Sequence, residues 1–466
     1  MYLFSYVYFY LCYYKNYSGY IFDVNTKTII KVSKNTIDCL NHGNENEEIK
    51  NLENLGFLSM NHIEEIGYQN NGKLEFLLES CLSHLILQVT QKCNLICSYC
   101  PYANFKNNEN RNHSNKNMSW NIAKRSLDFF IKHSTNSDEL NVGFYGGEPL
   151  LNFELIKKCV CYLKNNIQGK KITYNLTSNA TLINKDQMKF FIENNFQVTL
   201  SIDGPKDIHD KYRKFPDGKG TFLSVMDNLA ILFNEFGDQI FNYLSINMVI
   251  VPNCNFDYLL EFANDRLLKH INIIINFVDD TYTDNNTLVT ESFNSSYNYH
   301  LFMNMLKCLE IMPTLKTNSI FDISNAKFLN DKIDFQNKPN SVPKKGIPSG
   351  PCVPGKRRLF VNVNGYFFPC EKVSETSKVL KIGSIDSGFD YDRIDALLNI
   401  SKLNQDECKN CWAFMFCGIC ARLIDNNGEL SDKKIKSLCK SQKRNAMYLL
   451  REMTILHEVE RDFRRK

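Results

Sequence analysis

The stretch Leu85-Ile86-Leu87-Gln88-Val89-Thr90-Gln91-Lys92-Cys93-Asn94-Leu95-Ile96-Cys97-Ser98-Tyr99-Cys100 sets an apolar, strand-like run directly before three cysteines. Their spacing is C-x3-C-x2-C, with Tyr99 in front of the last thiol. A structural zinc site takes four protein ligands, so three thiols in one loop fall short of it. They do suit a cubane [4Fe–4S] cluster held through three irons, which leaves the fourth open to a ligand. Three loop cysteines together by chance is the plain alternative, and this cysteine content makes it uncommon even without the strand in front.

The chain downstream repeats one arrangement, a short apolar run ending in polar residues. Val142, Gly143, Phe144 and Tyr145 run into Gly146-Gly147-Glu148-Pro149. The two glycines let backbone approach a ligand closely, and Glu148 is placed to accept from an ammonium. Residues 172–177 (ITYNLT) lead to Ser178-Asn179, and 197–202 (QVTLSI), which include Ser201, lead to Asp203-Gly204-Pro205. Arg213 follows, and then Gly218-Lys219-Gly220-Thr221 opens a helix; an arginine and a glycine-rich helix start both suit a carboxylate. Residues 244–251 and 271–278 are further apolar strands, the second ending at Asp279-Asp280. A barrel-mouth base and an exposed acidic turn are both compatible with that pair, and the turn is the commoner outcome. Six strands with helices between them predict an α/β fold, an open (βα)6 barrel whose chemistry sits at the C-terminal strand ends.

The three-cysteine loop followed by Gly-Gly-Glu-Pro and the 201–221 run resembles the radical SAM enzymes. The resemblance implies that S-adenosyl-L-methionine chelates the open iron and is cleaved to a 5′-deoxyadenosyl radical. Cys93, Cys97 and Cys100 would then be the catalytic cluster ligands. Tyr99, Gly146, Gly147, Glu148, Pro149, Ser178, Asn179, Ser201, Asp203 and Arg213 would contact the cofactor.

Seven more cysteines fall near the C-terminus: Cys352, Cys370, Cys408, Cys411, Cys417, Cys420 and Cys439. A disulfide scaffold is conceivable for such a set. Paired C-x2-C spacings beside the first loop favour metal in a reducing cytoplasm, with two zinc sites as the alternative to iron–sulfur clusters. The pattern resembles the SPASM domain, which implies two auxiliary [4Fe–4S] clusters and three in all. By that resemblance Cys408, Cys411, Cys417 and Cys439 hold the far one, and Cys352, Cys370 and Cys420 the near one. Two departures stand out. Only Gly418 and Ile419 separate Cys417 from Cys420, where the family has three residues. Residues 343–348 also lack the additional cysteine of sulfatase-maturating relatives. Three ligands at the near cluster leave an iron for a substrate thiolate.

At 466 residues and a net charge of +4, the chain has room for two or three domains and no basic stripe interleaved with aromatics for nucleic acid. The charge-free, aromatic opening before Lys15 is too short to span a membrane. Residues 19–32 pattern as a hairpin turning at Asn25 to Lys27, Ser33 and Asn46 are helix caps, and a helix ends near Gly56. The basic stretch from Lys433 has helical spacing, as the solvated face of a terminal helix. Residues 1–82 resemble the small winged-helix-like domain with which peptide-modifying enzymes bind a leader as an added strand. The expected division is 1–82 recognition, 83–300 radical SAM core, 301–348 bridge and 349–466 SPASM domain.

Nearly the whole chain thus resembles a radical SAM/SPASM peptide maturase of the thioether-forming (sactipeptide or ranthipeptide) type. The implied partners are a cysteine-rich precursor peptide with its leader and an electron donor such as flavodoxin or ferredoxin. Two rivals stay open: an anaerobic sulfatase-maturating enzyme that makes formylglycine from Cys or Ser, and a non-catalytic iron–sulfur scaffold.

Overall fold

Antiparallel pairing of β1 (Tyr8–Tyr14), β2 (Ser18–Asp23) and β3 (Thr28–Ser33) opens the chain. The structure is a computed structural model that describes residues 8–14, 18–68, 71–102, 110–282, 287–308, 311, 312, 314 and 342–463. Ser33 caps α1 (Lys34–His42) by accepting from Thr36 N, and Asn46 caps α2 (Glu47–Asn54) by accepting from Ile49 N. Their apolar faces bury Ile37, Leu40, Ile49 and Leu52 against Ile21 and Val32 of the sheet. The aromatic opening is therefore a strand as far as it is described. No helix among the described residues is long and apolar enough to cross a membrane.

After β4 (Glu65–Ile66) and α3 (Leu74–Ser80), the chain enters six parallel strands. These are β5 (His84–Thr90), β6 (Glu139–Gly146), β7 (Lys171–Ser178), β8 (Phe196–Ser201), β9 (Leu244–Ile250) and β10 (Asn272–Phe277). Helices α4 (Trp120–Lys132), α5 (Phe153–Asn166), α6 (Lys185–Glu193), α7 (Lys206–Tyr212), α8 (Phe222–Phe236) and α9 (Phe256–Ala263) connect them. Parallel neighbours need such crossovers, and helices on the sheet make its strands nearly continuous apolar runs. In β5 every residue from Leu85 to Thr90 is buried. The registers Leu85↔Val142, Val142↔Tyr174, Leu176↔Val198 and Leu200↔Ile246 bring the strands' C-terminal ends together. After β10 comes α10 (Glu291–Cys308).

The C-terminal third continues this sheet. β11 (Lys345–Gly346) pairs with β4. β12 (Leu359–Val361) then adds to β5 in parallel, and β13 (Tyr366–Phe368), β14 (Gly383–Ser384) and β15 (Gly388–Phe389) follow antiparallel. One mostly parallel sheet of ten strands results, ordered β10-β9-β8-β7-β6-β5-β12-β13-β14-β15. The last described element is the helix Asp432–Phe463.

Candidate active site

The loop after β5 carries Cys93, Cys97 and Cys100, and backbone hydrogen bonds from two directions hold it in place. Ile96 N and Ser98 N donate to Lys214 O and Tyr212 O, while Gly147 N and Glu148 N donate to Thr90 O and Lys92 O. The double glycine explains the second set. A Cβ on Gly146, whose φ is +154°, would stand 2.0 Å from Thr90 O, and one on Gly147 would stand 2.1 Å from Lys92 O. The close approach these glycines permit in the structure is thus to the cysteine loop itself.

Burial pushes the Cys93 thiol up to about 12 and Cys100 to about 11, and it raises Cys97 as well. Few protein groups offset that burial. Arg213 Nη1 lies 4.0 Å from Cys97 Sγ, and His113 Nε2 lies 3.5 Å from Cys100 Sγ. Thiols so placed need a strongly positive partner to exist as thiolates, so the donor set fits an iron–sulfur cluster. Among the described residues no three His, Cys, Asp or Glu side chains close on a single metal-ion point.

Glu148 is buried at the end of β6. Its carboxylate accepts from Ser178 Oγ (2.9 Å), Leu150 N (3.1 Å) and Asn179 N (2.7 Å), with Pro149 starting the turn beyond it. A carboxylate offers about four lone-pair sites, so one remains for an ammonium. Burial raises its pKa to about 7 despite these donors. Asn179 Nδ2 donates to Asn94 Oδ1 (2.8 Å), tying the end of β7 to the cysteine loop. Ser201 is buried at the end of β8.

Asp203 and Arg213 pair with each other. Arg213 Nε donates to Asp203 Oδ2 at 2.8 Å and Nη2 to Oδ1 at 3.3 Å, with both side chains buried. Tyr99 Oη donates to the same carboxylate, and so does Val249 N. These three residues are thus tied to one another beside Cys97. The glycine-rich helix start is likewise occupied from within: Asp210 Oδ1 accepts from Phe222 N at 2.8 Å. Asp279 behaves as an acidic turn pinned to the C-terminal region. Burial pushes its pKa up, but Arg422 and Thr281 outweigh that and hold it low, which suits an ion pair better than a base.

The C-terminal cysteines fall into two groups. Cys408, Cys411, Cys417 and Cys439 line one pocket with Ile400, Phe414 and Ile435. Cys352, Cys370 and Cys420 neighbour one another, each close enough to influence the ionisation of another in the group. The shortened Cys417–Cys420 turn is met by Gly350, where a Cβ would stand 2.1 Å from Ile419 O. The side chain of Cys308 lies outside the described residues.

A buried polar bridge joins the region of the Cys93, Cys97 and Cys100 loop to that of Cys370, and little in the sequence announces it. Arg111 Nε donates to Glu375 Oε1 at 2.5 Å, Asn362 Nδ2 donates to Oε2, and Gln88 Nε2 also reaches Glu375. Tyr102, two residues after Cys100, has Arg111 stacked on its ring at 3.9 Å and donates its hydroxyl to Glu371 O at 3.1 Å. Glu371 directly follows Cys370; Arg358 holds its Oε1 at 2.7 Å, while among the described residues its buried Oε2 has no hydrogen-bond partner. Proximity in sequence to a cysteine was the one available signal for Asn94, Tyr102 and Glu371. Arg111 and Glu375 are 264 residues apart and had none.

Comparison with known proteins agrees with this geometry. The Radical SAM superfamily model matches residues 87–265. An uncharacterized protein of Methanocaldococcus jannaschii is 38% identical over 182 residues, 39% of this chain and 57% of that protein. The cysteine-type anaerobic sulfatase-maturating enzyme of Clostridium novyi is 29% identical over 72% of this chain and 86% of its own length. A solved structure of native anSMEcpe with bound AdoMet and the Kp18Cys peptide shares the fold, with TM-score 0.54 and 22% identity over 78% of this chain and 99% of that one. With its three-thiol loop, its Gly-Gly-Glu-Pro motif and its parallel sheet, this chain is a radical SAM enzyme similar to the sulfatase-maturating enzymes.

Proposed function

We propose that the enzyme oxidises a cysteine or serine side chain of a polypeptide substrate by hydrogen abstraction, with formylglycine as the product. Similarity to cysteine-type sulfatase-maturating enzymes over more than two thirds of the chain carries this reading. When bound, S-adenosylmethionine and the cluster on Cys93, Cys97 and Cys100 supply the one-electron chemistry. Glu148, with Ser178 and Asn179 N orienting its carboxylate, takes the cofactor's ammonium. The Asp203–Arg213 pair and Tyr99 fix the loop that presents the thiols. Glu371, with one oxygen orphaned beside Cys370, is the group placed to take a proton from a substrate thiol. The other two cysteine groups would hold auxiliary clusters.

Thioether formation is the second reading, favoured by the three-thiol group at Cys352, Cys370 and Cys420 and by the N-terminal unit. The solved relative's whole length matches only 78% of this chain, which leaves room for an added recognition unit. In the sheet of residues 8–33, β1 and β3 are edge strands suited to a leader peptide. Product chemistry separates the readings. The iron-loaded, chemically reduced enzyme is offered a cysteine-containing sulfatase peptide and a cysteine-rich precursor peptide. Formylglycine replaces sulfur by a hydrazide-reactive aldehyde, whereas a thioether loses hydrogen and the free thiol but keeps its sulfur. Cleavage of S-adenosylmethionine with neither peptide altered would overturn both.

The cofactor role of Glu148 carries a pH signature. With a pKa of about 7 in the ligand-free protein, the group is protonated below that pH and cannot pair with an ammonium. Affinity for S-adenosylmethionine should therefore fall as pH drops below about 7, by up to about tenfold per unit. Glu148→Gln should bind weakly, with little pH dependence across the same window. Calorimetric titration of the loaded enzyme reads both, and a wild-type affinity constant from about pH 5.5 to about 7.5 would remove the assignment.

A further inference from the structure

We propose that the four-thiol site of Cys408, Cys411, Cys417 and Cys439 is a staple: metal held there fastens residues 18–66 to the body of the enzyme, and its loss frees that N-terminal unit while the barrel stays folded. The inference rests on the reading that these thiols hold a cluster, and it assigns the site a part in presenting the N-terminal unit. The four thiols belong to different cores. Cys417 and Cys439 pack against the main core, which contains Leu85, Val142 and Ile435. Cys411 packs against a separate core, where Tyr20, Phe22 and Val24 meet Trp412, Ala413 and Leu450. Strand alternation sends Ile21 to α1 and α2, and Tyr20 and Phe22 to the cysteine turn. Cys408 and Cys411 also pack against a third core, made of Ile63, Ile66 and Phe414. All four thiols nevertheless line one pocket. A group shared by them therefore takes two ligands from the main core and two from the N-terminal side.

Apolar packing alone is the ordinary way to hold such a unit, and two observations set this contact apart. Each residue from Trp412 to Phe416 packs against one of the two N-terminal cores, Phe416 with its ring 5.6 Å from that of Phe22. Both ends of that run are thiols of the site, Cys411 and Cys417. Short-range hydrogen bonds close the turn, among them Cys411 N to Cys408 O and Phe414 N to Cys411 O. Such tight turns are weakly bonded within themselves, so an outside anchor decides how firmly this one stands. Packing across the seam is also incomplete. A pocket lined by Val24, Ile63, Val342, Cys411, Trp412 and Phe414 opens between the unit and the turn. Interiors are normally filled, and an unfilled seam forgoes part of its dispersion contact. Metal–thiolate bonds supply what the seam lacks, as they do where metal binding carries folding energy. The three-thiol group is placed differently, with Cys370 packed against the main core.

Hydrogen–deuterium exchange of the full-length, iron-loaded protein reads the staple. In Cys408→Ala/Cys411→Ala, peptides covering residues 20–25, 61–67 and 408–417 should exchange at least about tenfold faster than in wild type, with β6 to β8 unchanged. The control Cys352→Ala/Cys370→Ala should keep wild-type rates in those three segments. Wild-type rates there in the first variant, or equal loosening in the control, would overturn the staple. A second measurement leaves the thiols in place and decides the matter should the paired variant lose protection throughout. If metal holds the unit, the unit holds the metal by the same factor. Phe22→Ala, which removes the ring against Phe416, should therefore release metal at a chelator concentration about tenfold lower than wild type, with β6 to β8 still protected. Unaltered metal retention in Phe22→Ala would overturn the proposal. The cluster reading beneath it fails separately: a Cys408→Ala/Cys411→Ala protein that takes up as much iron as wild type would mean that these thiols hold none, whatever the exchange rates.

Discussion

Replacing Cys93 by alanine is expected to abolish formation of 5′-deoxyadenosine and to remove about a third of the iron bound after anaerobic reconstitution, from about twelve atoms to about eight if three cubanes are held. The size of the effect follows from the geometry. The loop after β5 supplies three partly buried thiols, and four of the C-terminal cysteines line a pocket of their own. Removing one leaves two, too few to hold a cubane against its loss. The loop itself should survive, because Gly147 N, Glu148 N, Ile96 N and Ser98 N anchor it through backbone groups that the substitution does not touch. A folded protein lacking one cluster is therefore the expected product. Iron analysis with Mössbauer spectroscopy checks it. Unimpaired cleavage by the variant, or zinc in place of iron at the C-terminal cysteines, would sink the assignment.

How far the sequence announced this site depended on how local each signal was. The strand, the C-x3-C-x2-C loop, Gly-Gly-Glu-Pro and the hairpin of residues 19–32 are contiguous signals. Each of them stands where its periodicity and turn chemistry put it. Helix caps at Ser33 and Asn46 were legible for the same reason. The roles of Asp203, Arg213 and Tyr99 were harder to read. Residue type says that an arginine will find an anion, but not whether that anion is a ligand or the carboxylate ten residues away. At Gly218 to Thr221 the carboxylate that meets the helix start is the protein's own Asp210, which lies eight residues back in the chain. Extension of the sheet through β12 was not legible at all. Three residues, Leu359–Val361, are too short for a periodicity, and their parallel register with Leu85, Ile86 and Leu87 is set by packing across 274 positions of sequence. The Arg111–Glu375 bridge has the same non-local origin.

Asp203→Ala should be among the most destabilising single substitutions in the barrel, because it leaves a buried guanidinium without its counter-charge. Arg213 is 8% exposed at its side chain and Asp203 is fully buried. Removing one member of such a pair costs about 3–5 kcal/mol, since the surviving charge keeps its desolvation penalty and loses its attraction. The loss spreads further here, as Tyr99 Oη and Val249 N give up an acceptor at the same time. Removing both charges, in Asp203→Asn/Arg213→Gln, should be less damaging than the alanine variant, because no unpaired ion stays buried. Activity should not follow stability in the double variant. Without the guanidinium 4.0 Å from Cys97 Sγ and the carboxylate that holds Tyr99, the cysteine loop loses that support, so cleavage of S-adenosylmethionine should remain poor even where the fold recovers. Urea midpoints of the metal-free proteins, set beside deoxyadenosine yields of the loaded ones, separate the two effects. A double variant no more stable than Asp203→Ala would mean that geometry, and not unpaired charge, sets the cost. Full activity in the double variant would leave the pair a structural strut with no bearing on how the thiols are held.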